Sequence, residues 1–180
     1  MRVGNLSARK SDGEFQMNSS TNGFMGRLKA YLAIGAFPYS SMDYPVEMAP
    51  IDETAEAILK LSETADACCI FHPFNNHYVP LGDVIMQMKK MGFEIELAED
   101  SEFHEKLQAA EDDPKLAPIL TTLIAYDNKD SGRKVEMIGV DNEYTSQALY
   151  RRSFCWSMTS RQYMNQFLNA LFTLGFFTLD

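Results

Sequence analysis

The sequence has few cysteines, a deficit of basic residues and no long apolar segment. Its three cysteines, of which two are adjacent, form no disulfide framework and fit a reducing compartment. Sixteen lysines and arginines against 25 aspartates and glutamates give a net charge of −9, which argues against a nucleic-acid partner. No segment reaches the ~20 apolar residues that cross a bilayer, and no basic stretch followed by an apolar core opens the chain. We therefore expect a cytoplasmic protein without nucleic-acid or membrane partners.

The motifs by which many enzymes bind nucleotides or activate nucleophiles are also missing. The chain contains no Gly-x-Gly-x-x-Gly, no phosphate-loop Gly-Lys-Ser/Thr and no Gly-x-Ser-x-Gly elbow. None of its eight tyrosines is followed four residues later by a lysine, the spacing with which a short-chain reductase helix presents an acid and its pKa-lowering partner. The sequence therefore predicts no catalytic residue within these 180 residues.

Two thiols and two histidines are the candidate metal ligands. Cys68 and His72 would share one face of a strand, and Cys69 and His77 lie nearby, so a zinc site is conceivable. The spacing matches no established ligand pattern. We expect buried thiols beside a loop histidine and no metal site. The eleven methionines are likewise expected to fill an irregular core.

The pattern of apolar residues predicts a mixed α/β fold that is rich in helix. Asn22 is expected to cap a first helix that Gly35 and Pro38 stop, and Pro50 to lead into a second helix with Asp52 near its start. Further helices are predicted in VPLGDVIMQMKKMG, which Gly92 ends, over 101–112 and 115–125, and in the C-terminal segment SRQYMNQFLNALFTLGFF, whose apolar face comprises Tyr163, Met164, Phe167, Leu168, Leu171 and Phe172. Strands are predicted in RVGNL, residues 46–49, ACCIFHPFN, FEIEL and VEMIGVDN, and the buried side of the second helix in Ala55, Ile58, Leu59 and Leu61.

The polar loop between Arg9 and Asn22 admits two interpretations. Its segments SDG and MNSSTNG are typical of turns, because small polar side chains bond to nearby backbone. Loops next to strands also carry ligand contacts in many proteins. The residues alone leave both interpretations open.

Three segments together resemble a known family. RVGNLSARKSDGEFQMNSSTNGFMGRLKAYLAIGAFP, VEMAPIDETAEAI and YTSQALYRRSFCWSMTSRQYMNQFLNALFTLGFF are similar, in this order, to the C-terminal half of the thioester reductase domains that end nonribosomal peptide synthetases. These domains, with the aminoadipate and carboxylic acid reductases, are extended short-chain dehydrogenase/reductases. The resemblance implies a single truncated domain over 1–180, with 1–79 a remnant of the Rossmann side and 80–180 a small substrate-binding subdomain.

The resemblance also implies ligand-contacting residues. The backbone at Val3, Gly4 and Leu6 would run past the nicotinamide end of NADPH, and Asn5 would sit between cofactor and substrate. Phe15, Gln16 and Asn22 would line the channel for the acyl chain and its phosphopantetheine arm. The glycine-rich motif and the Tyr/Lys pair of the family would lie before Met1, so we expect the chain to bind no NADPH and to be inactive alone. Asp52 is expected to be a structural helix cap.

The implied function is the substrate-binding portion of an NADPH-dependent thioester reductase that releases a carrier-bound acyl or peptidyl thioester as aldehyde or alcohol. Its partners would be an acyl or peptidyl carrier protein and a separate cofactor-binding half. A non-catalytic module that binds a carrier or acyl chain is an alternative, and a fragment of a sugar-nucleotide epimerase or dehydratase is a second one. Since the chain is acidic, carrier docking would need a local basic spot, for which Arg27 with Lys29, or Arg151 with Arg152, are the candidates.

Overall fold

A computed structural model describes residues 1–15, 22–65, 69–127 and 141–179. The fold is mixed α/β and rich in helix, as predicted. The chain forms two compact units that are interleaved in sequence: the first comprises 1–15, 45–79 and 138–170, and the second comprises 16–44, 80–137 and 171–180. One of the passages from the first unit to the second lies between Val79 and Pro80. The assignment of 1–79 and 80–180 to a Rossmann remnant and a substrate subdomain stays a prediction.

The first unit contains short strands and three helical segments. Strand β1 (Leu6–Ser7) pairs in parallel with β4 (Ala49–Pro50), with Leu6 opposite Ala49, and β3 (Pro45–Val46) pairs with β5 (Val79–Pro80). The helices are α2 (Ile51–Ser62), α6 (Glu143–Tyr150) and the first turns of α7 (Arg161–Thr173). An apolar cluster joins α2 and α6, formed by Ala49, Ala57, Leu61, Phe71, Leu149, Phe154 and Trp156. Helix α6 was not predicted from the sequence.

The buried face of α2 differs from the predicted one. Thr54, Ala57 and Leu61 are buried, whereas Ala55 is exposed and Leu59 is 68% exposed. The prediction assumed that only apolar side chains face the core. Thr54 can be buried because its hydroxyl donates to the carbonyl oxygen of Pro50 at 2.9 Å, which satisfies the polar group inside the helix.

The predicted inner strand in ACCIFHPFN is wrong over its described residues, because its hydrogen bonds to the N-terminal segment run in one direction only. Arg2 N donates to Phe71 O at 2.9 Å, and Gly4 N donates to Pro73 O at 3.3 Å. A parallel ladder also needs return bonds, here from residues 73 and 75. Pro73 has no N–H, and the N–H of Asn75 donates to a side chain instead. Residues 71–75 are therefore extended beside the N-terminus without forming a regular strand.

The second unit contains α1 (Gly23–Ile34), β2 (Ala36–Pro38), a 3₁₀ turn (Tyr39–Ser41), α3 (Leu81–Lys90), β6 (Glu96–Ala98), α4 (Asp100–Glu111) and α5 (Ala117–Asp127). The predicted cap is confirmed, since Asn22 Oδ1 accepts from Met25 N at 3.2 Å. Gly35 ends α1 with φ of 69°, a left-handed conformation that favours glycine. Strand β2 pairs in parallel with β6, with Phe37 opposite Leu97.

The predicted C-terminal helix is α7, and one residue of its predicted apolar face is wrong. Phe172 is 62% exposed, whereas the other five residues of that face are buried. The predicted strand VEMIGVDN falls almost entirely outside the described residues, as do Gln16 and Cys68. Across the described ranges, no helix is long and apolar enough to span a bilayer, and no group of three or more metal-binding side chains is found.

Candidate functional site

Residues 3–6, predicted to face a cofactor and substrate, form an extended segment of the first unit that leads into β1. Val3 is 45% exposed and Asn5 is exposed, while Gly4 and Leu6 are half-buried. The carbonyl oxygen of Asn5 accepts from Ala49 N at 3.1 Å, so the backbone here is held on its β4 side. The side chains of Val3 and Asn5 thus have surface available for a ligand.

The carboxylate of Glu47 lies against this segment and was not anticipated from the sequence. Its Oε2 accepts from Asn5 N at 3.1 Å, and its Oε1 accepts from Asn75 N at 3.2 Å. Burial raises the pKa of Glu47 to about 7, against the opposing effect of the two N–H donors, which favour the charged form. One carboxylate therefore links the N-terminal segment to residues 71–75, and it titrates near neutral pH.

Gly4 provides the space for this carboxylate. A Cβ atom on Gly4 would lie 1.9 Å from Oε1 and 2.4 Å from Oε2 of Glu47, distances that real Cβ contacts do not show. The family resemblance implied that Gly4 lies along a cofactor. In the structure, the space that a side chain on Gly4 would need is occupied by the Glu47 carboxylate.

Asn75 extends the link from Glu47 into the unit. Its side chain is buried, and its Nδ2 donates to Met48 O at 3.1 Å and to Ser157 O at 3.0 Å. Its Oδ1 accepts from His77 N at 3.0 Å. With all of these bonds made inside the unit, Asn75 is a structural crosslink and leaves no polar group for a ligand.

Asp52 anchors the polar loop that follows β1. It lies in the first turn of α2, as predicted, but its carboxylate accepts from Lys10 N at 3.0 Å and Ser11 N at 3.2 Å. Burial acts to raise the pKa of Asp52, but the backbone donors outweigh it and the pKa is lowered. The expected helix cap is confirmed in part, since Asp52 Oδ1 also accepts from Glu53 N at 3.1 Å in the first turn of α2, but two further donors to Asp52 lie in the loop. Glu53 adds a second anchor, bonding to Ser157 and to Lys10 Nζ, the latter at 3.1 Å.

Tyr163 fixes β1 from the side of α7. Its hydroxyl lies 2.6 Å from Ser7 Oγ and donates to Ala8 O at 2.6 Å. Burial raises the pKa of Tyr163, against the smaller effect of the Ser7 hydrogen bond. The phenol stays protonated at neutral pH, and its hydroxyl contacts Ser7 and Ala8, so it holds the end of β1 in place.

The residues predicted to line the acyl channel have other observed contacts. Phe15 packs edge to face on Phe167 of α7, with ring centroids 6.1 Å apart. Asn22 caps α1 in the second unit. Gln16 lies outside the described residues. The structure therefore brings Val3, Gly4, Asn5 and Leu6 together with Glu47, and the channel itself stays a prediction.

The first unit also contains an open cavity of about 510 Å³, which is separate from these residues. Its wall includes His77, Gln147, Tyr150, Arg151, Phe154 and Trp156. Phe154 and Trp156 meet edge to face at 5.2 Å. Arg151 is exposed at this cavity, whereas Arg152 donates to Ala148 O at 3.0 Å within its own helix turn. Arg151 and Arg152 thus differ in how freely they can meet a charged partner.

Solved structures with this fold are reductase domains of peptide and polyketide assembly lines. A thiolation-reductase di-domain from an archaeal nonribosomal peptide synthetase is 28% identical with a TM-score of 0.84, over 98% of this chain and 36% of that one. The terminal R domain of the myxalamid PKS-NRPS pathway is 20% identical with a TM-score of 0.77, over 97% and 44%. The reductase domain of the aureusimine cluster is 23% identical with a TM-score of 0.73, over 97% and 44%.

Neither a protein-family model nor a curated protein matches the sequence. The chain spans less than half the length of the three structures above. The resemblance seen in the sequence is confirmed: nearly the whole chain has the fold of a part of a nonribosomal peptide synthetase reductase domain.

Proposed function

We propose that this chain is the substrate-binding portion of an NADPH-dependent thioester reductase that acts on an acyl or peptidyl group carried by a thiolation domain. The observation that supports this most strongly is the match to the archaeal di-domain, with a TM-score of 0.84 over 98% of the chain. That protein joins a thiolation domain to a reductase, so a carrier-bound thioester is the natural substrate class.

In this function the chain binds and orients, and NADPH supplies the hydride. Val3 offers exposed apolar surface to the cofactor, and the exposed amide of Asn5 is suited to orient a thioester carbonyl or a pantetheine amide. A neutral amide can do this without changing the charge around a nearby proton relay. Tyr163 is protonated and committed to β1, and Glu47 accepts from two backbone donors, which agrees with a proton donor supplied by another part of the enzyme.

The test is reconstitution with a cofactor-binding part. Three samples are compared: the isolated chain, the cofactor-binding part of the archaeal reductase that this chain does not match, and a mixture of the two. Each sample receives NADPH and a thiolation domain loaded with an octanoyl thioester, and NADPH absorbance is followed. We expect oxidation in the mixture only. Turnover by the isolated chain would place the acid among residues assigned here as structural, and absence of turnover in the mixture would contradict the reductase function.

A matched pair of variants tests the role of Asn5. Substitution N5A is expected to weaken binding of octanoyl-pantetheine, measured by calorimetry on the isolated chain, by about tenfold, which corresponds to one lost hydrogen bond of typical strength. The control is N76A, which removes another exposed asparagine of the same unit. Equal affinity of N5A and N76A would remove Asn5 from the substrate site.

The two alternatives have less support. A sugar-nucleotide enzyme needs cations for a pyrophosphate; of the pair Arg151 and Arg152, Arg152 donates to a backbone carbonyl, which leaves the exposed Arg151 for this role. A non-catalytic carrier-binding module is distinguished from the reductase by the mixture experiment, because it would bind the loaded thiolation domain without any oxidation of NADPH.

A further inference from the structure

We propose that Glu47 is a positioning residue: its carboxylate replaces missing strand hydrogen bonds and thereby sets the position of the backbone at residues 3–5. This inference deepens the proposed function, because that function places these residues beside the cofactor and substrate. Glu47 contacts no reacting atom in this scheme and acts through Gly4 and Asn5.

The first support is the incomplete ladder between the N-terminal segment and residues 71–75. The N–H groups of Arg2 and Gly4 donate to carbonyl oxygens of residues 71–75, but Pro73 has no N–H to donate in return. The N–H of Asn75, which would make the next return bond, donates to Glu47 Oε1 at 3.2 Å instead. Glu47 thus takes the bond that a regular parallel strand would have given to the carbonyl of Gly4.

The second support is the use of both carboxylate oxygens on opposite segments. Oε2 accepts from Asn5 N at 3.1 Å while Oε1 holds Asn75, so the two segments are joined through one rigid planar group. Gly4 lies against this group, and any Cβ there would overlap both oxygens. The chain therefore combines a glycine and a carboxylate at the point where the N–H of Asn75 leaves the ladder.

The third support is the electrostatic surroundings. Among the described residues Glu47 has no lysine or arginine in ion-pair contact. The titratable side chain that senses its charge is Tyr78, whose pKa is raised by burial and then by Glu47. His77 is also titratable, and its backbone N–H donates to Asn75 Oδ1. With partial burial and no cation, the charged carboxylate depends on its two N–H donors, and its pKa of about 7 agrees with this.

This arrangement makes the position of residues 3–5 depend on pH. Ionised Glu47 has two acceptor oxygens and can hold both N–H groups. Protonation adds a donor and weakens one of the two bonds. The backbone at Asn5 is therefore held more firmly above pH 7 than below it.

The direct test uses the isolated chain and needs no activity. Backbone ¹H–¹⁵N spectra are recorded from pH 5 to pH 8.5 on the wild type, on E47Q and on D52N. We expect the amides of Asn5 and Asn75 to shift together with a midpoint near 7 in the wild type and in D52N, and to be flat in E47Q. The D52N control also removes a carboxylate that holds two backbone amides of the same unit.

Each other outcome overturns the proposal. Amide shifts that are flat in the wild type, that persist in E47Q, or that have a midpoint near 4.5 would mean that Glu47 does not hold these groups in a buried link. The wild-type titration decides this even where a variant fails to fold. Hydrogen exchange adds a second measurement: the Asn75 amide is expected to exchange about tenfold faster in E47Q than in D52N at pH 8.

The reconstituted enzyme separates this inference from the proposed function. If the wild-type mixture oxidises no NADPH while the amides titrate as expected, the reductase function fails and the link stands. If the mixture is active, E47Q is expected to lower kcat/KM about tenfold and to abolish the change of kcat/KM with pH near 7. D52N is expected to retain that change with pH. An E47Q profile identical to wild type would leave Glu47 without a positioning role.

Discussion

Substituting Gly4 by alanine is expected to expel the Glu47 carboxylate from its site. The added Cβ would lie 1.9 Å from Oε1, 2.4 Å from Oε2 and 2.5 Å from Cδ of Glu47. Gly4 does not adopt a positive φ, so alanine is compatible with the backbone and the overlap is with a side chain alone. The side chain can rotate toward solvent, and the N–H groups of Asn5 and Asn75 then lose their acceptor.

The magnitude follows from the pKa of Glu47, which the fold raises from 4.5 to about 7. An acid with a raised pKa holds its proton more tightly in the folded state, so its ionisation lowers stability as pH rises from 4.5 to 7. At about 1.4 kcal/mol per pKa unit, and reduced for partial exposure, this is roughly 1 to 2 kcal/mol between pH 5 and pH 8. In G4A the expelled carboxyl returns to its ordinary pKa, and this loss disappears.

Two opposite effects should therefore be visible in G4A. At pH 5 the variant is expected to be less stable than wild type by about 1 to 2 kcal/mol, because two backbone donors have lost their acceptor. At pH 8 the difference in the free energy of unfolding should shrink by roughly 1 to 2 kcal/mol, because only the wild type still keeps a charged carboxylate partly buried.

Urea unfolding at pH 5, 6.5 and 8 measures this, and Trp156, the single tryptophan, is a buried fluorescence reporter in the same unit. A double-mutant cycle with E47Q is the control, since G4A in that background should show no pH-dependent difference. A gap between G4A and wild type that is constant with pH would refute the link between Gly4 and the titration of Glu47.

Three further predictions use other contacts of the first unit. Y163F should lower the free energy of unfolding by about 1 to 2 kcal/mol in urea titrations, since the hydroxyl bonds twice to residues 7–8. D52N should reduce the loss of stability below pH 4. The pKa of Asp52 is lower in the folded state than in the unfolded state, so its ionised carboxylate stabilises the fold at higher pH and this contribution is lost as the pH falls. A loss of stability in acid as steep in D52N as in the wild type would contradict this. For carrier docking, R151E should weaken binding of a thiolation domain and R152E should do so less, since Arg152 is held by its own helix; equal effects, or none, in calorimetry would exclude this patch.

Most of the helices described, although not α6, could be predicted because their signals are local. Asn22 and Gly35 mark the ends of α1 by side-chain capping and by a left-handed glycine, and both act within a few residues of themselves. The apolar repeat of α3 and α4 likewise requires only the spacing of each helix. The buried face of α2 differs from its prediction at Thr54, because the hydroxyl of this polar side chain donates to the backbone carbonyl of Pro50 and can therefore be buried.

The candidate site could be predicted only in part, because its contacts are distant in sequence. The resemblance identified residues 3–6, but Glu47 joins segments that are 42 and 28 residues away from it. A glutamate between Val46 and Met48 is compatible with an ordinary surface position on a strand. A usable signal existed in the combination of a glycine in the first segment and a proline at 73, which together predict a ladder that cannot close.

A pocket wall must hold its groups within about half an ångström of their productive positions, and a long sheet usually provides that rigidity. Strand β1 has only two residues, and its neighbour at 71–75 forms no strand. Three side chains supply the hydrogen bonds that the short sheet lacks. Glu47 holds the segment that leads into β1, Asp52 holds the loop that follows β1, and Tyr163 holds the end of β1 at Ala8. The backbone from residue 3 to the loop after β1 is therefore fixed by individual polar groups. A single substitution at one of these groups should shift the segment that the group holds without unfolding the helices, so the position of the segment and the stability of the fold should respond separately.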